Sequence, residues 1–500
     1  MTLSRNDTND TNETPNTDVE SAEPDVAIRD SRPYSVFTTR EKWFIICIIS
    51  FAATFSPLTA NIYFPAIPAL VKAFSKSTEL INLTVTMYLV MQGLAPMLWG
   101  PVSDRHGRRP IFLGCLLILA LSCVGLALVP VSAYWLLMLL RCLQAAGSAS
   151  TIAIGAGVIG DITLPRERGG FLGIFTLGPM LGPAIGPVIG GALAEHLGWR
   201  SIFWFMCIAA SGCFIMLVLF LPETLRRLVG DGSVIPSALY RPVIPIIKHR
   251  GEPDLDSIPR TRVSYNPFRL LVHTDIIILL GLNAIVCAVY NSFTATTSTL
   301  FTSAYPFLSE TKIGLCFLAI GGGMAIGSTL NGKFLDWEYR RIREQLKQEV
   351  AITSEGEKST QPQNTSSIED FPIEKARLRA LPFFVIALIV CCAGYGWCLQ
   401  KQVNLAVPLV LQTIVGYISI AVMNSTQTLM IDLFPRQGSS ITACNNLVRC
   451  SFSALLISVI QLIINAIGIG WTFVLLGGIT VLVLPLLYLE MRQHSKGLFT

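Results

Sequence analysis

The chain is short of charge: Asp, Glu, Lys and Arg make up only 14% of its 500 residues, against 52% hydrophobic. So few solvating groups exclude an ordinary soluble globular protein and point to a chain that crosses a membrane many times. No Cys-x-x-Cys pair occurs among the 13 cysteines; Cys391 and Cys392 are merely adjacent. All lie in or beside apolar runs, where thiols behave as small hydrophobes, so neither a disulfide framework nor a metal site is expected. There is no Walker phosphate loop, no zinc spacing and no nucleophile elbow, which removes an ATP-driven pump and argues against an enzyme. The net charge of +5 invites a nucleic-acid reading, but the basic residues are spread through loops, so no nucleic-acid partner is expected. Residues 1–42 lack the apolar core of a signal peptide and read as a disordered tail.

What the chain has in abundance is apolar runs of spanning length. They fall at about 43–64, 81–100, 110–130, 134–160, 171–194 and 201–221, then at about 275–295, 312–333, 381–399, 404–431, 437–465 and 469–490. This predicts an all-α integral membrane protein of twelve transmembrane helices: a six-helix bundle at 43–221, a linker at 222–274 and a second bundle at 275–490. The second bundle carries a polar insertion at 334–380, regulatory or disordered, and residues 491–500 form a short tail. Of the 37 Lys and Arg, about 29 fall on the N-terminal side of the membrane, which predicts both termini in the cytosol. The Asn6, Asn9 and Asn12 glycosylation triplets should then stay unmodified.

Between the second and third runs lies a basic hinge containing Gly100, Asp104, Arg105, Gly107, Arg108 and Arg109. Its spacing of glycine, carboxylate and arginine pair recurs at Gly332, Asp336, Arg340 and Arg341, at the end of the eighth run. Agreement in both spacing and topological place favours an internal repeat, hence two pseudosymmetric halves. Arg141 and Gln144 share a turn of the fourth run, with Arg141 roughly 10 Å deep at ~1.5 Å per residue. In lipid a guanidinium at the helix centre costs at least ~2.5 kcal/mol unless it faces water or a partner, so a functional role is expected. The fifth run carries Gly178, Gly182, Gly186, Gly190 and Gly191 with Pro179, Pro183 and Pro187, a flat face on a bent helix.

WGPVSDRHGRRP resembles the signature between spans two and three of the major facilitator superfamily, and Arg141-x-x-Gln144-Ala-x-Gly147 resembles its fourth-span motif, with Ala145 where glycine is usual. Gly182-x-x-x-Gly186-Pro187-x-x-Gly190-Gly191, with Pro183, resembles the fifth-span motif associated with exporters. Pro65-Ala-Ile-Pro68 and Trp199-Arg200-x-x-Phe203 resemble features of the fungal twelve-span drug:proton antiporters. LDWEYRR, PIEKARLR and NNLVR look most like their quinidine-resistance and dityrosine-transporter branch.

The resemblance implies the major facilitator fold and proton-coupled export of drugs or other small organic molecules by alternating access. It needs no cofactor beyond the proton gradient, and it implies a monomer in the plasma membrane or, alternatively, the vacuolar membrane. Asp104 would dock on the start of span eleven, and Asp336 on that of span five, when the cytosolic gate is shut. A dedicated exporter of polyamines, amino-acid derivatives or a cell-wall precursor, a non-transporting sensor, and proton-driven uptake remain alternatives.

No carboxylate occupies the middle of a span; Asp161, Glu195, Asp275, Glu310 and Asp432 all lie at span ends. Coupling would rest on Asp161, Glu195 or water beside Arg141 and Gln144. Substrate-cavity candidates are Asn61, Tyr88, Gln92, Asn283, Tyr290, Asn291, Gln412, Asn424 and Asn445, each with the alternative of tying one helix to another.

Overall fold

A computed structural model describes residues 35–164, 167–234, 237, 240–245, 274–356, 378–433, 438–482 and 484–485. The Asn6, Asn9 and Asn12 triplets, most of the linker and residues 357–377 of the 334–380 insertion lie outside them. Among the described residues the regular structure is entirely helical. The first half contains α1 (Thr39–Asn61), α2 (Thr78–His106), α3 (Arg108–Leu128), α4 (Tyr134–Ile162), α5 (Arg168–Leu197) and α6 (Arg200–Phe220). The second contains α7 (Thr274–Ala304), α8 (Glu310–Gly356), α9 (Leu381–Gln400) and α10 (Ala406–Leu433). The last helix, Gly438–Val481, is broken at Gly468, whose φ of 82° is not helical; the limbs 438–467 and 469–481 are α11 and α12.

Eleven helices among the described residues are long and apolar enough to cross a membrane, and the eleventh contains two of the twelve expected spans. Two helices carry features beyond the expected spans. The eighth span ends at Gly332, but its helix runs on to Gly356, because 334–355 is rich in Glu, Arg, Lys, Gln and Leu and free of glycine and proline. The first is followed by a 3-10 turn, Phe64–Ala66, and a short helix, Ile67–Phe74.

The packing repeats itself across the halves. In the first, α1 packs on α5 and α4, α2 on α4, and α3 on α4 and α6; in the second, α7 packs on α11 and α10, α8 on α10, and α9 on α10 and α12. Each contact maps onto its counterpart by adding six to the helix number, so the halves are pseudosymmetric. They join through α2 with α11 and α5 with α8.

Glycines let these helices approach. On α5, a Cβ would lie 2.2 Å from Ser50 O at Gly178, 2.7 Å from Leu58 N at Gly182 and 3.2 Å from Ile62 N at Gly186. At Gly190 it would lie 2.1 Å from Ile62 O, all of these on α1 or just past its end, and at Gly191 it would lie 2.4 Å from Glu310 O of α8. Pro179 inside α5 lacks an N–H and orphans the Phe175 carbonyl, which instead accepts from Ser50 Oγ at 2.9 Å.

Candidate functional site

Four hydrogen bonds join the halves among the described residues. Three lie on the face opposite the basic hinge: Ser298 Oγ donates to Pro65 O (3.4 Å), Thr311 N to Glu195 Oε2 (2.8 Å) and Asn465 Nδ2 to Glu79 Oε1 (2.9 Å). Phe64 and Phe317 stack near them with ring centroids 6.3 Å apart. The fourth, from Asn446 Nδ2 to Gln92 O (2.9 Å), lies near mid-membrane. These ties gather on the face opposite the basic hinge and at mid-membrane.

Inside the first half, Arg141 is 1% exposed and held between two rings. Its guanidinium carbon lies 4.2 Å from the Tyr63 ring centre and 4.3 Å from that of Tyr88. Each ring is fixed by its own hydroxyl: Tyr63 pairs with Thr84 Oγ1 (2.9 Å), and Tyr88 with Ser148 Oγ (2.9 Å) while donating to Ser56 O (3.2 Å). Arg141 Nη1 donates to Gln144 Oε1 (2.6 Å), and Gln144 Nε2 in turn to Cys123 Sγ (3.3 Å). Nε and Nη2 of Arg141 are buried with no partner, and among the described residues no carboxylate forms an ion pair with it. The desolvated cation is therefore held by aromatic faces and one amide, with two N–H groups left for an acceptor. The spacing of Arg141 and Gln144 marked the pair, and Tyr88 was a cavity candidate. Tyr63 was missed, because nothing local says that the end of α1 reaches α4.

A second cluster sits at the basic hinge. Arg108 bridges two carboxylates, Asp104 (Nη1, 2.5 Å) and Asp161 (Nε, 3.0 Å), and also donates to Ser103 Oγ (2.9 Å). Asp104's side chain is 58% exposed and is held by Arg108 rather than by the start of α11. Only Gly107 separates α2 from α3; its φ is 103°, and an added Cβ would lie 2.5 Å from Glu223 Oε2. Glu223 caps α3 in return, accepting from Arg108 N (2.8 Å) and Arg109 N (3.2 Å) as well as Thr224 N and Leu225 N. Arg109 is buried and donates from Nη2 to Val218 O (2.8 Å), while Arg105 is exposed. Sequence reasoning missed Glu223; its signal was a carboxylate directly after the sixth span.

At Gly100 and Gly332 a Cβ would meet nothing within 4 Å, so neither glycine is required by a close approach in this conformation. The side chains of Asp336 and Arg340 lie outside the described residues, and the exposed Arg341 lies over Trp337, 5.3 Å from its ring centre.

The remaining candidates do not converge on one cavity. Asn61 donates to Pro57 O on its own helix (2.7 Å), and Asn445 to Gln427 Oε1. Asn283 fastens α7 to α10 through Thr426 Oγ1 (3.0 Å), Gln412 ties α10 to Thr297 and Tyr395 (2.9 Å each), and Asn424 reaches Ser328 Oγ (3.4 Å). Asn291 donates to Ser453 Oγ of α11 (3.0 Å), whereas the Tyr290 hydroxyl is buried without a partner. Gln92 takes part through its carbonyl. Glu195 is exposed at the end of α5 on the face opposite the basic hinge, where it accepts from Thr311 N.

Residues 49–347 match the family model described as the Major Facilitator Superfamily. The chain is 39% identical over 467 residues to Citrate exporter 1 of Aspergillus niger, covering 92% of this chain and 87% of that one. It is 34% identical to the multidrug transporter QDR2 of Candida glabrata, covering 93% and 82%. Its fold matches that of a bacterial homologue of the human lysosomal transporter Spinster, crystallised inward-facing and occupied. There the TM-score is 0.64 at 14% identity, covering 91% and 98% of the two chains.

Proposed function

Because the chain belongs to the Major Facilitator Superfamily, we propose that it exports small organic anions, carboxylates foremost, by alternating access. The observation that carries this reading is Arg141: a buried guanidinium, clamped by Tyr63 and Tyr88, with two buried N–H groups free and no carboxylate paired to it. A bound cation about 6 Å from that charge would be repelled by ~3 kcal/mol at an effective dielectric of ~20, and an anion would gain as much. Likeness to a citrate exporter supports the same substrate class. A second reading, export of drugs and other xenobiotics, is supported by the likeness to a multidrug transporter; uncharged or acidic compounds would fit the same site.

In this proposal the basic face is cytosolic, both termini lie there, and substrate loads from that face. The expected membrane is the plasma membrane, with the vacuolar membrane as the alternative, and the working unit is the monomer. On closure Asp104 leaves Arg108 for the N-terminal end of α11, a contact worth ~0.3–1 kcal/mol if exposed and up to ~2 if partly buried. Proton exchange drives the cycle, with Asp161, held by Arg108, as the group that titrates. For an anion leaving a negative interior, the membrane potential adds ~2.3 kcal/mol per charge per 100 mV.

The test is uptake of labelled citrate into inside-out vesicles with the pH gradient and the potential imposed separately. Expected is saturable uptake that collapses with the pH gradient at clamped potential. Uptake that ignores the pH gradient rejects antiport. Uptake of quinidine without any carboxylate flux rejects the anion reading, and no flux of any solute favours a sensor.

A further inference from the structure

Pro96 lies inside α2 and has no N–H, so the carbonyl four residues back, that of Gln92, loses its helical donor. The replacement comes from the other half of the molecule: Asn446 Nδ2 on α11, 354 residues away, donates to it at 2.9 Å. The helices nearly touch here, for a Cβ at Gly93 would lie 3.1 Å from Cys450 Cβ and 3.4 Å from the Leu447 backbone. This is the cross-half hydrogen bond nearest mid-membrane, where rocking halves have their pivot.

The other end of the same amide holds a cation. Asn446 Oδ1 accepts from Arg449 Nη2 (3.0 Å) and Nε (3.3 Å). Arg449 forms no ion pair with a carboxylate among the described residues; around it are the thiols of Cys287 and Cys450. It sits ~16 Å along α11 from the basic-face end at ~1.5 Å per residue, whereas Arg141 starts ~10 Å from the opposite face. A solute arriving from the basic face meets Arg449 before Arg141.

Building on the organic-anion reading, we propose that Arg449 is the first substrate-contacting cation on the path and that Asn446 is the positioning residue that reports its occupancy to the pivot. A carboxylate is a stronger acceptor for a guanidinium than a neutral amide oxygen. When it takes Nε and Nη2, Asn446 Oδ1 keeps only the weak donor of the Cys450 thiol (3.7 Å), and the amide can turn off the Gln92 carbonyl, loosening the tie between the halves when substrate is aboard.

The test measures initial rates with labelled citrate, succinate and benzoate in vesicles holding the full chain. Arg449→Gln should raise the citrate KM at least tenfold. Pro96→Ala touches no substrate group but gives the Gln92 carbonyl its own N–H, and should lower kcat at least threefold at unchanged KM. If Arg449→Gln fails to reach the membrane, Arg449→Lys, which keeps the charge and loses the fork, should raise KM several-fold. A wild-type citrate KM in the Arg449 variant that folds overturns this inference and leaves the organic-anion reading standing. Wild-type kinetics in Pro96→Ala overturn the role of Asn446. Wild-type protein that moves none of the three anions overturns the anion reading and this inference with it.

Discussion

Replacing Arg141 by methionine keeps the side chain's length and removes its charge, and so separates the two things this residue does. Burying the guanidinium costs about 2.5–3.5 kcal/mol in a membrane interior. Against that stand two desolvated cation–π contacts, about 1–2 kcal/mol each, and one charge-assisted hydrogen bond to Gln144, about 1.5–3 kcal/mol. The difference favours arginine by about 0–4.5 kcal/mol, roughly 2 at the middle of each range, while methionine packs well between rings and both tyrosine hydroxyls keep their partners. The variant should therefore fold, with a melting temperature lowered by a few degrees.

Transport should respond far more. Removing one member of a desolvated charge pair costs about 2–5 kcal/mol, so the citrate KM should rise on the order of 100-fold or beyond detection. The assay is citrate uptake into inside-out vesicles beside a thermal melt of purified protein. A KM within threefold of wild type refutes the reasoning that Arg141 meets the substrate. Loss of the folded protein would show instead that the arginine is a structural pin between α1, α2 and α4.

Other perturbations test the hinge and the helix contacts. Asp104→Asn breaks the pair with Arg108 and removes the charge proposed to dock on α11; efflux should fall at least fivefold at unchanged surface level, read by surface labelling alongside flux. Gly107→Ala forces a side chain onto a φ of 103° and into the Glu223 carboxylate, and should destabilise the protein by about 2–3 kcal/mol, measured as lowered melting temperature and membrane yield. Ser50→Ala orphans the Phe175 carbonyl and should cost about 1–2 kcal/mol. The same substitution made together with Pro179→Ala should cost about 1 kcal/mol less than the two separate effects added, since the restored N–H supplies the missing donor; strict additivity in the melts would disprove the proline account.

Much of the architecture is a local property and could be read along the chain. Span number, the asymmetry of Lys and Arg, the glycine face of α5 and the echo of the hinge at Gly332–Arg341 need no knowledge of what packs on what. The eighth span ends at Gly332 as expected while its helix runs on to Gly356, because helix propensity outlasts hydrophobicity, and the break at Gly468 falls between the two last expected runs. Several polar candidates were real but fasten helices: Asn283 and Gln412 are buried in hydrogen bonds within their own half, and no periodicity distinguishes such a residue from one that faces a solute.

By itself the sequence determined a twelve-span, two-fold repeated transporter with a buried arginine and a basic hinge, because hydrophobic length, charge bias and repeat spacing are written in neighbouring residues. Tertiary structure decided which groups meet. Tyr63, just past α1, and Tyr88 of α2 close on Arg141, Glu223 returns to cap α3 beneath Gly107, and Asn446 crosses between the halves to the carbonyl that Pro96 leaves open. Those pairings depend on helix rotation and crossing, set by glycine contacts and proline bends acting over hundreds of residues, and so they exist only once the halves are packed.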